Sequence, residues 1–351
     1  MPRQKHAGPT TTDRSERNDE FLGGTTLRTD IRAALAACAV VLACASADAQ
    51  TYPARPIQVV VPFAGGSASD VVARLILDKM GTSMGQRFVV ENRPGAGGNI
   101  GTQVVAAAAP DGYTLLYSAS GPLAVNKTLM ANLGYDPERD FAPITLSAVL
   151  PNVIVVNQKL PPKTVAELID YAKARPKQLY YGSVGNGSSQ HLAGAYFEQV
   201  TGVQMTHVPY RVTGQMVTDL IAGETQLSFQ LLPNVQAALK AGQIRPLAVT
   251  SEKRLAALPD VPTTAEVGVK DYVAAAWFAL LAPRGTPPEI IARLHKEYSA
   301  AIADPGLRER LLEIGAEPTV SSPDELARFI SSEIVKWRDV VRNAGITAEG
   351  Q

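Results

Sequence analysis

Short apolar runs and stretches of helical spacing alternate along the chain from residue 57 onward. Ile57–Pro62 is a near-continuous apolar run, which is typical of a strand buried in a parallel sheet. Val71–Met80 then carries apolar residues at helical spacing. Two further strand-like runs, Arg87–Glu91 and Tyr113–Ser118, lie on either side of a helix-like stretch, Thr102–Ala109. This alternation predicts an α/β fold with a mostly parallel sheet.

The same alternation restarts in the second half of the chain. A strand-like run over Val153–Asn157 precedes a helix for which Thr164 is the predicted N-cap and Glu167 lies in the first turn. Strands and helices then continue to alternate, with strands predicted over Leu179–Ser183, Met205–Pro209, Gln226–Leu231 and Ile244–Thr250, and helices after Ser188 and over Gln215–Ala222. After a strand over Trp277–Ala282 the chain is mostly helical, with helices predicted over Pro287–Ala303, Pro305–Ile314 and Pro323–Ala344.

The helical tail has little sheet of its own, so we expect it to pack on the first α/β unit. The chain would then form two α/β lobes, the first from residues 50–150 and 273–351 and the second from residues 151–272. A cleft between two such lobes is where a small ligand usually binds.

Residues 1–49 have a different pattern. Arg28 and Arg32 precede an apolar stretch, Ala33–Ala45, and Ala47 and Ala49 then form a small-residue cleavage site. This is the order of a secretory signal peptide, and the apolar stretch is shorter than the roughly 20 residues that span a bilayer. We therefore predict that the chain is exported to the periplasm after cleavage of this leader.

Both cysteines, Cys38 and Cys44, lie in the leader, so the exported chain would form no disulfide. A lipoprotein, anchored through a lipid on either cysteine, is the alternative to release after cleavage at Ala49. We favour release, because Cys38 follows too short an apolar run and Leu42 is a bulky side chain before Cys44, where a small one is usual.

Charge and hydropathy narrow the classes of function. The chain has 33 basic and 33 acidic residues, so it lacks the basic excess of a nucleic-acid-binding protein. After the leader, no apolar run approaches the roughly 18 residues of a membrane-spanning helix. We expect the exported chain to be soluble outside the cytoplasm.

Glycine and serine cluster where three strand-like runs meet helix-like stretches. The clusters are Gly65–Ser67, Ser118–Gly121 and Gly185–Ser189. A phosphate loop would end in Gly-Lys-Ser or Gly-Lys-Thr, and no cluster does. A dinucleotide fingerprint could begin at Gly95–Gly97, but its third glycine position is Ile100. Neither nucleotide-binding motif is therefore present.

Catalysis by serine is the second interpretation of these clusters. The nucleophile-elbow motif is absent, but His191 lies one turn into the helix after Ser188 and Ser189, within reach of a Ser–His pair. No group of histidines, cysteines or carboxylates has metal-ligand spacing. A secreted serine hydrolase stays open as an alternative, and no metal or other cofactor is predicted.

A site that holds an anion without reacting with it is the third interpretation, and the one we favour. The start of a helix carries unpaired N–H groups and partial positive charge. Glycine lets the backbone approach an anion closely, and serine adds hydroxyl donors. In open α/β sheets, ligands bind at the carboxyl ends of the strands. Three such helix starts, distributed over both predicted lobes, point to a bound carboxylate.

The chain carries seven specific motifs in order: VPFAGGSASDVVAR, ENRPGAGGNIGT, APDGYTLLYS, YGSVGNGSSQHLAG, HVPYR, IRPLAVTSEKRLAALPDVPTTAEVG and LAPRGTPPEIIARL. Together they resemble the solute-binding receptors of tripartite tricarboxylate transporters, the Bug family, from about Tyr52 to the C-terminus. The resemblance implies a type II periplasmic-binding-protein fold, in which two lobes close on a small organic anion. It also implies a receptor rather than an enzyme, with membrane permease subunits as its partner. We expect a monomer.

The resemblance implies which residues grip a carboxylate through backbone and hydroxyl groups. In the first lobe these are Phe63, Gly65, Gly66, Ser67, Ser118, Ala119, Ser120 and Gly121. In the second lobe they are Ser183, Ser188, His191, Pro209, Tyr210 and Gln230. We expect Asp70 to cap its helix rather than contact the ligand, and the ENRPGAGG stretch to be a structural turn of the first lobe.

Two departures from the family pattern bear on the ligand. Val212 follows Arg211 where relatives often have glycine, which would narrow the approach to the cleft. Gln230 stands where many members carry an aspartate that could meet an amino group. Together these departures favour a di- or tricarboxylate, or an aromatic acid, over an amino acid. A ligand-binding accessory of a sensor kinase is the alternative to a transport receptor.

Overall fold

The apolar runs of the sequence become strands that are covered on both faces. The computed structural model describes residues 52–130 and 132–343; the predicted signal peptide and its cleavage site lie outside the described residues. In the first strand, Val59 and Val60 are both buried, and their side chains enter separate hydrophobic cores. This is the doubly covered strand that the near-continuous apolar run predicts.

The strands in chain order are β1 (Ile57–Val61), β2 (Phe88–Asn92), β3 (Thr114–Ala119), β4 (Phe141–Asn157), β5 (Tyr180–Ser183), β6 (Thr206–Pro209), β7 (Leu227–Leu231), β8 (Ile244–Val249), β9 (Ala275–Pro283) and β10 (Glu317–Pro318). The helices are α1 (Ala68–Met84), α2 (Asn99–Ala106), α3 (Asn126–Leu129), α4 (Val165–Lys173), α5 (Ser189–Thr201), α6 (Thr213–Ala222), α7 (Leu232–Lys240), α8 (Pro288–Ala303), α9 (Pro305–Glu313) and α10 (Pro323–Asn343). A 3₁₀ turn (Ala96–Gly98) precedes α2, and a π-helical turn (Gly121–Val125) precedes α3.

Two strand groups share the long strand β4. In the first group, β1 pairs in parallel with β2 and β3, and β3 pairs antiparallel with β9. Residues 141–151 of β4 pair antiparallel with β9, and β10 also pairs antiparallel with β4. In the second group, β5 pairs in parallel with β6 and β7, and residues 152–157 of β4 pair antiparallel with β7 and β8.

The sheet is therefore mixed, with parallel pairs towards its edges and antiparallel pairs at its centre, whereas the alternation predicts a mostly parallel sheet. The difference comes from β4, which spans 17 residues although only Val153–Asn157 was predicted. Pro143 and Pro151 interrupt its earlier part, and proline lowers the strand signal of a sequence because it cannot donate to a ladder. The lobe boundaries after residues 150 and 272 stay predictions.

The helix start predicted at Thr164 is present in the structure, with a side chain capping the backbone. The hydroxyl of Thr164 accepts the N–H of Glu167 at 3.2 Å, so Thr164 is the N-cap of α4 as predicted. The Glu167 carboxylate in turn accepts the N–H of Lys163 at 2.7 Å. Within the two described ranges, no helix is long and apolar enough to cross a membrane.

The C-terminal helices pack on the first strand group. α8 and α9 contact α1, and α10 contacts β4 and the π-helical turn. The indole N–H groups of Trp277 in β9 and Trp337 in α10 both donate to the same oxygen of Glu333, at 2.8 and 2.9 Å. Glu333 is buried, so this shared acceptor ties α10 to the sheet.

Candidate functional site

Two helices begin at the same cavity, one from each strand group. α1 follows β1 and α5 follows β5, so each helix starts where a parallel strand ends. The N-caps are Ser67 and Ser188, whose hydroxyls accept the N–H groups of Asp70 at 3.5 Å and His191 at 3.4 Å. The first residues of both helices line the cavity, so N–H donors and the positive ends of two helix dipoles meet there.

This inner cavity, as we call it, is lined by uncharged residues throughout. The centres of water-sized molecules can occupy about 20 Å³ of it. Its lining consists of Phe63, Ser67, Ala68, Ser69, Ala119, Gly121, Val184, Ser188, Ser189, Gln190, Leu231, Asn234, Ala276 and Phe278. An anion here would be held by N–H groups, hydroxyls and helix dipoles rather than by a cationic side chain. Across the described part of the chain, no three histidine, cysteine or carboxylate side chains are placed to share a metal ion.

Asp70 lies in the first turn of α1 but does not line the inner cavity. Its carboxylate accepts hydrogen bonds from the N–H of Gly66 (2.8 Å), Nε of Arg74 (2.9 Å) and Nδ2 of Asn92 (3.0 Å). Burial alone would raise the pKa of Asp70, but these bonds outweigh it and hold the pKa below its usual value. Asp70 therefore stays ionised and stabilises the loop that leads into α1.

Glycines let the loops on the two sides of the cavity approach each other. A Cβ at Gly121 would lie 2.7 Å from the carbonyl oxygen of Gly187, and a Cβ at Gly97 would overlap the carbonyl oxygen of Asn186. Gly97 also has a φ of 62°, a left-handed conformation that favours glycine. The ENRPGAGG stretch, predicted to be a structural turn of the first lobe, also contacts the loop before α5 through Gly97.

The structure brings part of the predicted residue set together. Five of the predicted residues line the inner cavity, namely Phe63, Ser67, Ala119, Gly121 and Ser188. Gly65 and Gly66 are exposed in the loop before α1. Ser118 and Ser120 are buried near the end of β3 without lining the cavity, and Ser118 Oγ lies 3.5 Å from Thr102 Oγ1. These four lie outside the lining of the inner cavity, and their contact with a ligand stays a prediction.

Ser183 and His191 both contact His207, next to the loop before α5. Ser183 Oγ is 2.6 Å from Nε2 of His207, whose ring stacks on that of His191 with the centroids 4.0 Å apart. Gly187 donates its N–H to Nδ1 of His191 at 3.2 Å. Burial lowers the pKa of His191 to about 4; burial and the neighbouring His191 lower that of His207 to about 3. Both rings are neutral at neutral pH and support the loop.

The serine hydrolase interpretation requires a hydroxyl bound to the ring of His191. The Ser188 hydroxyl instead accepts the backbone N–H of His191, and the Ser189 hydroxyl donates to Oε1 of Gln190 at 3.2 Å. Nδ1 of His191 is already taken by the N–H of Gly187. This is the geometry of a helix N-cap and not that of a nucleophile with its base.

Gln230 does not line the inner cavity but binds Asn234, a lining residue that was not predicted from the sequence. It is fully buried, its Nε2 donates to Ser228 Oγ (2.8 Å), and its Oε1 accepts from Nδ2 of Asn234 (2.9 Å). Asn234 does line the cavity, and its Oδ1 accepts the N–H of Ala68, the first residue of α1, at 2.7 Å. Asn234 was missed because no helix was predicted between Leu231 and Ile244; α7 has no side-chain cap, and Pro233 in its first turn is the signal that could have located it.

A second space, which we call the outer cavity, adjoins the inner one. The two share Phe63 and Val184, and the centres of water-sized molecules can occupy about 500 Å³ of the outer cavity. Its other lining residues are Pro62, Ala64, Pro94, Gly95, Ala96, Gly97, Gly98, Ile100, Met130, Gly185, Asn186, Pro209, Tyr210, Arg211 and Thr213. Arg211 is the one ionised side chain of this lining.

Two predicted ligand residues, Pro209 and Tyr210, line the outer cavity and not the inner one. The Tyr210 hydroxyl donates to Asp219 at 2.7 Å, and burial together with Asp219 raises the pKa of Tyr210 to about 12. Val212 is 57% exposed and lines neither cavity. Its neighbours Arg211 and Thr213 do line the outer cavity, and the narrowing of the approach by Val212 stays a prediction.

Comparison with known proteins gives the family. Residues 72–346 match the family described as "Tripartite tricarboxylate transporter family receptor". Rpa4515 of R. palustris, solved with adipate, is 42% identical with a TM-score of 0.82, and the match covers 84% of this chain and 99% of that one. The periplasmic binding protein BugD is 35% identical with a TM-score of 0.80, covering 84% and 99%. MatC from Rhodopseudomonas palustris, solved with bound malate, is 34% identical with a TM-score of 0.78, covering 83% and 100%.

These matches confirm the family, the fold class and the non-enzymatic function that the sequence predicts. The structural likeness extends over nearly the whole length of each relative, so it concerns the complete fold and not a shared fragment. The chain belongs to the tripartite tricarboxylate transporter receptor family, whose members are periplasmic solute-binding proteins and not enzymes.

Proposed function

We propose that this protein captures a small organic dicarboxylate in the periplasm and delivers it to the membrane subunits of a tripartite tricarboxylate-type transporter. The observation that carries the proposal is the meeting of two helix starts, those of α1 and α5, at one uncharged cavity. Helix starts attract carboxylates through their N–H groups and their dipole. Adipate and malate, found with the related Rpa4515 and MatC, are both small dicarboxylates and support this ligand class.

The polar groups of the inner cavity are sufficient for useful affinity. A micromolar complex corresponds to about −8 kcal/mol. A hydrogen bond to a charged group contributes roughly 1.5–3 kcal/mol, so four or five such bonds contribute about 6–15 kcal/mol, and the upper part of this range exceeds 8 kcal/mol and offsets part of the cost of association. Backbone N–H groups at the starts of α1 and α5 and nearby hydroxyls supply donors of this kind.

The outer cavity supports a ligand with two charged ends. It meets the inner cavity at Phe63 and Val184, so a ligand held at the helix starts would extend its other end towards Arg211. Arg211 is exposed, and within the described residues it makes no ion pair. An apolar lining with one cation suits a carboxylate on an aliphatic stem. It favours a dicarboxylate over an aromatic monoacid.

Release into the periplasm would follow from cleavage of the predicted signal peptide, and we expect the receptor to act as a monomer. Transport by membrane subunits is favoured over presentation to a sensor kinase because the family is that of a transporter receptor.

Mass spectrometry and calorimetric titration test the proposal. We expect a small dicarboxylate to be released when the natively purified protein is denatured. After refolding without ligand, succinate, malate, adipate or suberate should raise the Tm and bind more tightly than hexanoate or a neutral diester. If a broad panel of organic acids leaves the Tm of the well-folded protein unchanged, the proposed function is refuted.

A further inference from the structure

The N–H of Ala68 has a partner from the opposite side of the inner cavity. Ala68 is the first residue of α1, where backbone donors lack partners within the helix. Asn234 lies in the first turn of α7, which follows β7 of the second strand group. Its Oδ1 accepts the Ala68 N–H at 2.7 Å across 166 residues of sequence. The amide oxygen of Asn234, from the second strand group, thus accepts the hydrogen bond of an N–H group at the start of α1, which belongs to the first.

The orientation of this amide is set by a buried chain of hydrogen bonds. Nδ2 of Asn234 donates to Oε1 of Gln230 at 2.9 Å, and Nε2 of Gln230 donates to Oγ of Ser228 at 2.8 Å. Gln230 and Ser228 are both fully buried. With its nitrogen bound from behind, Asn234 presents its oxygen to Ala68. That oxygen carries a partial negative charge, so it resembles one oxygen of a carboxylate placed at the positive end of α1.

We propose that Asn234 is a specificity-determining residue that competes with the ligand for the Ala68 N–H, and that a carboxylate oxygen displaces Asn234 Oδ1 on binding. This inference rests on the proposed function. The exchange favours an ionised ligand, because a hydrogen bond to a charged acceptor is roughly twice as strong as one between neutral groups. A neutral amide or ester would replace one neutral bond by another and gain nothing. Asn234 therefore selects carboxylates over uncharged molecules of the same shape.

Two substitutions of Asn234 should change affinity in opposite directions. Asn234→Asp places a tethered carboxylate at Ala68. Gln230 can turn its amide so that Nε2 donates to this carboxylate, provided that Ser228 Oγ turns its hydrogen from the Gly182 carbonyl to Oε1 of Gln230. This variant should bind adipate at least tenfold more weakly than the wild type. Asn234→Ala removes the competing acceptor, so it should bind adipate about two- to tenfold more tightly, the equivalent of one neutral hydrogen bond. Its Tm without ligand should fall.

Calorimetric titration with adipate and with its neutral dimethyl ester tests the inference. Ala237→Glu is the matched control, since it adds the same charge on an exposed face of α7 outside both cavities; its affinity should equal that of the wild type. A purely structural role of Asn234 would weaken binding in both variants, and this result would overturn the inference. So would equal affinities of the wild type and both variants. If Asn234→Asp fails to fold, Asn234→Ala decides alone by the direction of its change. Failure of the proposed function is distinct, because then the wild type itself binds no carboxylate.

Discussion

Replacing Gly121 by alanine tests whether the loops around the inner cavity must lie as close together as they do. Gly121 begins the π-helical turn after β3. A Cβ there would lie 2.7 Å from the carbonyl oxygen of Gly187, whereas ordinary contacts begin at 3.4 Å. The backbone of the loop before α5 would therefore have to retreat by about 0.7 Å, the difference between these two distances. The φ of Gly121 is not in the left-handed region, so the clash is the main cost.

Overpacking of this kind costs about 1–3 kcal/mol. The clash acts between the two sides of the cavity, so opening them apart relieves it. Both sides have to contact the carboxylate for binding, and the cost therefore appears in affinity. We expect the Kd for a dicarboxylate to rise about 5- to 150-fold, the equivalent of this energy. The Tm without ligand should change little.

Isothermal titration with the tightest-binding acid of the panel measures this effect. Gly214→Ala in α6 is the matched control, because a Cβ there meets no atom within 4 Å. The control should keep the wild-type Kd and gain up to about 1 kcal/mol of stability. A Gly121→Ala protein whose Kd stays within a factor of two of the wild type would refute the reasoning that binding needs this close approach.

The stacked histidines predict a loss of stability in acid: the unfolded histidine pKa is about 6.5, whereas the folded values for His191 and His207 are about 4 and about 3. Between pH 6.5 and 4 the unfolded chain thus binds more protons than the folded one. Urea denaturation should therefore show that the free energy of unfolding decreases as the pH is lowered through this window, and His207→Gln should make this dependence on pH weaker. Arg211→Gln should weaken binding of adipate about two- to tenfold but leave hexanoate unchanged, since only a second carboxylate reaches the outer cavity; equal losses for both acids in titration would contradict this. Glu333→Ala removes the acceptor of both indoles and should lower the free energy of unfolding by about 1–3 kcal/mol in urea denaturation, and an unchanged midpoint would speak against the shared bond.

Features set by neighbouring residues could be predicted from the sequence. Ser67 and Ser188 cap their helices through hydrogen bonds that span three residues, and Thr164 does the same. Such signals are complete within a short stretch of chain. The alternation of strands and helices is equally local, which is why most elements were placed within a few residues of their positions.

Features set by distant contacts could not be predicted in this way. Asn234 reaches the cavity only because α7 packs near the start of α1, and its bond spans 166 positions. Ser183 was expected at the ligand, but the parallel register of β5 with β6 places its hydroxyl on His207. Gln230 was also expected at the ligand, but its amide forms hydrogen bonds with Ser228 and Asn234. Which way a side chain points in a short strand depends on partners that the local sequence does not contain.

The two tryptophans of the chain also decide how the protein can be observed. Both indoles donate to Glu333, so their emission should respond when α10 detaches from β9. Trp277 alternates along β9 with Ala276 and Phe278, which line the inner cavity, and it lies in the core that α10 covers. A screen that reads quenching of native fluorescence would consequently overlook genuine ligands, whereas the same signal would record the release of the C-terminal helix during unfolding.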